Sequence, residues 1–178
     1  MAKIGKSANP KNLADASPIT FEIWESTGYL INVMARLMAK ALHHRIMQEG
    51  IPIGQWPFLL ALWEEEGISQ TLLSRKVGVD AATTVRTLDR MERDALVKRE
   101  RDANDRRQIN IFLTTRGREL RVKLIPHAVA VNQLATQSFH QDEIRTLHDL
   151  LKRIISNISQ DADRINDLPK TQHNGFLF

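Results

Sequence analysis

The sequence contains no cysteine. Disulfide frameworks, thiolate zinc sites, iron–sulfur clusters and cysteine nucleophiles are therefore excluded within it, and the composition fits a reducing compartment. Long apolar runs are also missing. No stretch approaches the roughly 20 uninterrupted apolar residues that span a bilayer. The lysines near the start, Lys3 and Lys6, are not followed by an apolar segment, so residues 1–18 are expected to be a flexible arm rather than a signal peptide. A cytoplasmic protein with no membrane partner is the expectation. There is no internal repeat and no low-complexity tract. Nor is there a Walker loop, a Gly-x-Gly-x-x-Gly, a His-Glu-x-x-His or a Gly-x-Ser-x-Gly. The sequence points to no enzyme, no catalytic residue and no cofactor. The histidines, His43, His44, His127, His140, His148 and His173, include no pair at i, i+4, the spacing that sets two imidazoles on one helical face. No metal site is expected.

What is present is ordinary for a globular protein with a real core: 178 residues, 42% hydrophobic and 26% charged. The formal net charge of +4 leans towards anionic partners, but its distribution matters more than its sum.

Apolar residues recur at helical spacing from Ile19 to Gln48, as Ile23, Leu30, Val33, Met34, Leu37, Met38, Ala41, Leu42 and Ile46. The stripe is wide enough for a helix that packs on its own domain and on a second subunit. Gln55 to Glu66 reads as a shorter helix, with Pro57 tolerated near its first turn. Ser69 is a good N-cap for a third helix, Gln70 to Val77. Gly78 turns the chain, and Asp80 caps a fourth helix from Ala81 to about Asp94, with Val85, Leu88 and Met91 on its apolar face. The period then changes. Leu96 to Arg101 and Gln108 to Leu113 read as strands joined by the polar turn Asp102-Ala103-Asn104-Asp105. Ile109, Ile111 and Leu113 are expected on one buried face. A fifth helix runs from Thr114 or Thr115 to about Gln137, where Pro126 should kink or interrupt it. A sixth runs from about Gln141 to Asp161, with an apolar stripe from Ile144 to Ile158.

Two short helices, a tight turn and a following hairpin describe a winged helix-turn-helix. In that motif the second short helix enters the DNA major groove and the hairpin reaches the neighbouring backbone or minor groove. The fold class expected is mainly α with a small β-hairpin wing, plus a dimerisation region of terminal helices. The division is 1–18 arm, 19–48 and 118–165 dimerisation helices, 49–117 winged helix-turn-helix, and 166–178 tail. Amphipathic helices outside the winged module need a partner, and the economical one is the same set from a second subunit of a homodimer.

Thr83, Arg86, Arg90 and Arg93 lie off the apolar face of the fourth helix. Threonine hydroxyls meet bases or phosphates, and arginine pairs bidentately with guanine or clamps a phosphate. Lys98, Arg99, Arg101, Arg106 and Arg107 surround the hairpin tip, and Arg116, Arg118, Arg121 and Lys123 follow. Asp89, Glu92, Asp94, Glu100, Asp102 and Asp105 are interspersed, so a solvated, salt-bridged face is the competing reading of charge alone. The helix-turn-helix followed at once by an arginine-tipped hairpin favours DNA.

The stretch from Asp102 to Gly117, with its Asp-x-Arg pair, alternating strand and Leu-Thr-x-x-Gly, resembles the wing of MarR-family transcriptional regulators. Ser69-Gln70-x-x-Leu73, Val79-Asp80, Thr83 and Asp89-Arg90-Met91-Glu92 fit the helix-turn-helix of the same family. The resemblance extends from about Ser26 to Ser159. It implies a two-fold dimer that represses transcription at a short inverted-repeat operator in double-stranded DNA and releases it when a small ligand binds. It also implies DNA-binding roles for Thr83, Arg86, Arg90, Asp105 and Arg107; with Ser69 of the helix-turn-helix and Arg101 and Arg106 of the hairpin tip, these form the expected DNA-binding set. Arg107 matches the wing arginine that approaches the minor groove, and Asp105 the acid that braces it. The pair has a second available role, holding the hairpin tip. Ala95 stands where the family usually has glycine, and is strained if that site requires positive φ. Ser26-Thr27-Gly28-Tyr29 occupies the region where one branch of the family carries a peroxide-sensing cysteine, so that chemistry is excluded.

Family members often bind aromatic acids or phenolic compounds. Arg36 or His43 is suited to pair with a carboxylate and Trp56 to stack on a ring, which suggests a small aromatic effector. The competing reading places Trp56 in the core, Arg36 in a salt bridge and His43 in an ordinary structural position. From another functional class, the alternative is a winged-helix protein-interaction module without specific DNA binding.

Overall fold

In the computed structural model the described residues are 20–103, 105 and 107–167. The expected arm at 1–18, most of the expected tail and Arg106 lie outside them. The elements are α1 (Thr27–Ile46), α2 (Trp56–Glu64), β1 (Ile68–Ser69), α3 (Gln70–Val77), α4 (Ala81–Arg93), β2 (Val97–Arg101), β3 (Ile109–Leu113), α5 (Thr115–Ala135) and α6 (Gln141–Asp167). The chain is mainly helical with one small sheet, a winged helix-turn-helix with additional helices.

Local chemistry sets most of the boundaries. The Ser26 hydroxyl accepts from the Tyr29 amide and opens α1, so the α-helix begins later than the apolar periodicity suggested and is preceded by a 3-10 turn, Ile23–Glu25. Pro57 lies in the first turn of α2, where its missing N–H has no intrahelical partner to lose. Ser69 caps α3 by accepting from the Leu72 amide at 3.1 Å. Gly78, at φ 73°, ends that helix in the left-handed region, which glycine enters without a Cβ penalty.

Helix α4 closes in the same way, but on an alanine. The Ala95 amide donates to Glu92 and the Leu96 amide to Met91, a Schellman closure that places Ala95 at φ 54°. The left-handed conformation costs an L-residue roughly 1–2 kcal/mol, so alanine is strained at the position where the resemblance has glycine.

The sheet order is β1-β3-β2, with both pairings antiparallel. Val97 faces Leu113 and Arg101 faces Ile109 across the hairpin. The short strand β1, which local pattern did not suggest, pairs Ile68 with Ile111. Ile111 and Leu113 are buried as expected, whereas Ile109, towards the hairpin tip, is 39% exposed.

The buried face of α4 is Thr84, Leu88 and Met91, an i, i+4, i+7 ridge. Val85, expected on this face, is 38% exposed. Thr84 replaces it because its hydroxyl donates back to the Asp80 carbonyl at 3.0 Å and so is buried without losing a partner. These side chains join Phe58, Leu59 and Leu62 of α2, Leu73 of α3 and Ile46 at the end of α1 among the fully or nearly fully buried residues. Each large apolar side chain so buried stabilises the fold by about 1.5–3 kcal/mol.

Helix α5 is continuous through Pro126, so the proline does not interrupt it. Gly117 in its first turn lies against the chain at Leu96. A Cβ there would come within 2.2 Å of the Leu96 carbonyl oxygen, which accounts physically for glycine in Leu113-Thr114-Thr115-Arg116-Gly117. The chain forms two compact units that divide between Ala128 and Val129. In the second, α6 extends beyond the expected Asp161 to Asp167. None of its side chains described, up to Asp161, is buried. No helix of the described residues is long and apolar enough to cross a membrane.

Candidate nucleic-acid interface

The turn between α3 and α4 is fixed by the Ser74 hydroxyl, which donates to the Val79 carbonyl at 2.7 Å. Asp80 then caps α4. One carboxylate oxygen accepts from the Thr83 amide at 2.8 Å and the other from its hydroxyl at 2.7 Å. These bonds, the amide's first, hold the Asp80 carboxyl below the usual aspartate range. Thr83 is thereby oriented, and the Arg86 guanidinium lies 3.4 Å from its hydroxyl oxygen. Thr83, Arg86 and Arg90 follow i, i+3, i+7 spacing, so α4 carries them together on the side away from Leu88 and Met91. Arg86 and Arg90 are exposed.

At the hairpin tip, Asp102 and Asp105 organise the backbone. The Asp105 amide donates to the Asp102 carboxylate at 3.0 Å, and Asn110 donates to the other Asp102 oxygen at 2.9 Å. The Asp105 carboxylate accepts from the backbone amide of Arg107 at 3.0 Å. Its bracing of Arg107 acts through the main chain, leaving the Arg107 side chain exposed. Arg101, at the end of β2, is exposed as well. Among the described residues, Arg86, Arg90, Arg101 and Arg107 make no ion pair with a carboxylate. Arg99 and Arg118, by contrast, are paired with acids.

A cleft of about 440 Å³ separates the start of α3 from the wing tip. Ser69, Gln70 and Thr71 line one side, and Asp105, Arg107, Gln108 and Ile109 the other. The cleft therefore brings together three of the expected residues: Ser69, Asp105 and Arg107.

Two structurally important residues were not among the expected set. Asp102 shapes the tip, and the signal for it was its place at the start of an Asp-x-x-Asp turn. Arg99 joins β2 to α4 through Asp89 and Glu92. Its partners lie on another element, so no local spacing revealed it.

None of the three expected ligand residues lines the cleft between α3 and the wing. Arg36 is exposed on α1. Trp56 is buried and packs edge-on against Trp63, with ring centroids 5.7 Å apart. His43 is half-buried, and its Nδ1 is enclosed without a hydrogen-bond partner among the described residues. A larger cleft, about 650 Å³, lies elsewhere, among α2, α3 and α5. Leu60, Ala61, Trp63, Val77 and Ile125 supply its apolar lining, and Glu64, Lys76 and Arg121 its charges. Arg36, His43 and Trp56 do not line it. Among the described residues no group of three or more His, Asp or Glu side chains is placed to hold a metal ion.

Fold and site together define a winged helix-turn-helix protein. Residues 51–109 match the MarR family. The chain is 34% identical over 103 residues to the HTH-type transcriptional regulator TtmR of Methylorubrum extorquens, covering 57% of this chain and 53% of TtmR. This match thus spans about half of that relative. It is 30% identical over 111 residues to the HTH-type transcriptional regulator MgrA of Staphylococcus aureus, covering 62% of this chain and 74% of MgrA. A MarR-family transcriptional regulator from Listeria monocytogenes, solved in complex with 26mer DNA, superposes with a TM-score of 0.74 at 24% identity, over 84% of this chain and 99% of that one. The chain belongs to the MarR family of transcriptional regulators, which are not enzymes.

Proposed function

We propose that the protein is a cytoplasmic, sequence-specific DNA-binding repressor that acts as a homodimer on a pseudo-palindromic operator. The observation that carries this reading is the set Arg86, Arg90, Arg101 and Arg107, exposed on α4 and the wing with no carboxylate partner among the described residues. In this reading α4 lies in the major groove, and Thr83, Arg86 and Arg90 meet base edges or phosphates. The cleft between Ser69 and Arg107 takes the sugar–phosphate backbone. Arg107 reaches the adjacent minor groove. Two copies of α4 read half-sites spaced by about one helical turn.

The dimer reading draws on two apolar surfaces. Leu30, Met34 and Leu37 are exposed on α1, as are Leu150, Ile155 and Ile158 on α6. Residues 19–48 and 118–165 are the proposed dimerisation helices and 49–117 the DNA-binding module. The effector reading draws on the α2–α3–α5 cleft, whose volume of about 650 Å³ and Trp63 lining suit a small aromatic acid. Arg121, which has no carboxylate partner among the described residues, is the cation that would face it. Occupation would release DNA by favouring a dimer whose helix spacing no longer matches the operator.

Fluorescence anisotropy with labelled duplex from the gene's own upstream region tests the core of this proposal, with a scrambled duplex as control. The expected result is tight binding to the native duplex, weakened steeply by salt and by Arg107→Ala. Absence of binding to either duplex at low salt would overturn it. A thermal-shift panel of aromatic acids tests the effector, and no response to any acid counts against it.

A further inference from the structure

We propose that Arg99 is a positioning residue for DNA recognition, setting the wing against α4 and neutralising the two acids that α4 carries beside its arginines. This rests on the DNA-binding reading above. Arg99 sits in the middle of β2, two residues before the exposed Arg101. Its side chain is only 20% exposed. One guanidinium nitrogen lies 2.7 Å from the Glu92 carboxylate, and the other lies 2.8 Å from Asp89 and 3.3 Å from the Val85 carbonyl oxygen. The Arg99 backbone amide donates to the second Glu92 oxygen at 3.3 Å. Val85, Asp89 and Glu92 follow i, i+4, i+7 spacing, so one planar fork grips a single ridge of α4 across two of its turns.

This arrangement has two consequences. The fork resists rotation of β2 about the helix, and β2 leads directly into the tip that carries Arg107. It also answers an electrostatic difficulty. Asp89 and Glu92 lie on the helix that carries Arg86 and Arg90, and unpaired carboxylates there would repel phosphates. Arg99 is committed to both acids, so it acts through α4 and the wing rather than on DNA.

The test is specific and nonspecific affinity by anisotropy across a salt titration, for the parent, Arg99→Ala, Arg99→Lys and the triple variant Arg99→Met/Asp89→Asn/Glu92→Gln. Melting curves establish that each is folded. The expected result for Arg99→Ala is a loss of about tenfold or more on the native duplex, a smaller loss on the scrambled one, and an unchanged salt slope. Arg99→Lys, which keeps the charge but not the fork, should recover scrambled-duplex affinity more fully than native-duplex affinity. It also preserves the test if the alanine variant does not fold. The triple variant removes the repulsion without restoring the fork and should remain weak on the native duplex. Parental affinity of the triple variant there would overturn the positioning role. A salt slope shallower by about one per protomer in Arg99→Ala would also overturn it, by making Arg99 a direct phosphate ligand. If the parent binds neither duplex, the DNA-binding reading itself fails, an outcome distinct from a parent that binds and an Arg99→Ala that binds equally well.

Discussion

Helices α4 and α6 are both strongly amphipathic, yet their apolar faces have different fates. In α4, Leu88 and Met91 are fully buried and the polar face carries arginines. In α6, Ile155 and Ile158 are 65% and 66% exposed, although their spacing is as regular. The apolar face of α4 is satisfied by the chain's own winged domain. That of α6 is only partly covered: Ile144, Leu147, Leu151 and Ile154 are half-buried, and Leu150, Ile155 and Ile158 are exposed. The same periodicity thus records intramolecular packing in one helix and, in the proposed dimer, intermolecular packing in the other.

The largest expected effect comes from Leu88→Ala. Truncation at this filled site should cost about 2–5 kcal/mol of folding stability, read by urea denaturation. Ile155→Glu with Ile158→Glu is the matching change in α6. It should shift the sedimentation coefficient from dimer to monomer while leaving the helical circular dichroism of the winged domain in place. A dimer that survives it would remove the proposed basis of the contrast.

Gly117→Ala probes the support of the winged domain, because the new Cβ would strike the Leu96 carbonyl. Relieving a backbone clash of that kind should cost about 1–3 kcal/mol. Ala95→Gly acts in the opposite direction at the end of α4. Relief of the left-handed strain at φ 54°, less the extra freedom glycine gives the unfolded chain, should raise stability by about 0.5–1 kcal/mol. Thermal melts would show both.

The smallest effect is on the acid limb of stability. Arg118 bonds both oxygens of Glu66, at 2.8 and 2.7 Å, and the Leu113 amide donates to one of them. The Arg118 bonds chiefly hold the Glu66 carboxyl below its ordinary value. As pH falls, the unfolded chain protonates this group first. Its stabilising contribution is therefore complete above the ordinary glutamate value of about 4.3 and is lost as pH drops through the lower folded value. Glu66→Gln should flatten that limb of the curve.

Much of the winged domain was legible because its boundaries are written in single residues. Ser69 and Asp80 are caps that act over three positions, Gly78 is a turn, and the change from helical to alternating periodicity announces the hairpin. What escaped depends on residues far apart in the chain. Strand β1 is too short to show a pattern and exists because Ile68 finds Ile111. Thr84 displaced Val85 from the buried face because its hydroxyl has a partner one turn back. Arg99 resembled its neighbours in the hairpin, and only folding shows that it is paired with acids while, among the described residues, Arg101 and Arg107 are not. For the proposed effector, residue type alone did not tell the two tryptophans of α2 apart. Trp56 has the chemistry to stack on a ligand, but in the fold it packs on Trp63, and it is Trp63 that lines the larger cleft.

Strand β2 lies at the margin of the sheet, with β3 on one side only. An open strand margin is a template on which another chain can add a strand and begin aggregation. Here the Arg99 amide is already taken by the Glu92 carboxylate, and the exposed charges of Lys98 and Arg101 discourage such growth. Residues that set and extend the wing therefore also help to keep the folded protein from associating through its exposed strand.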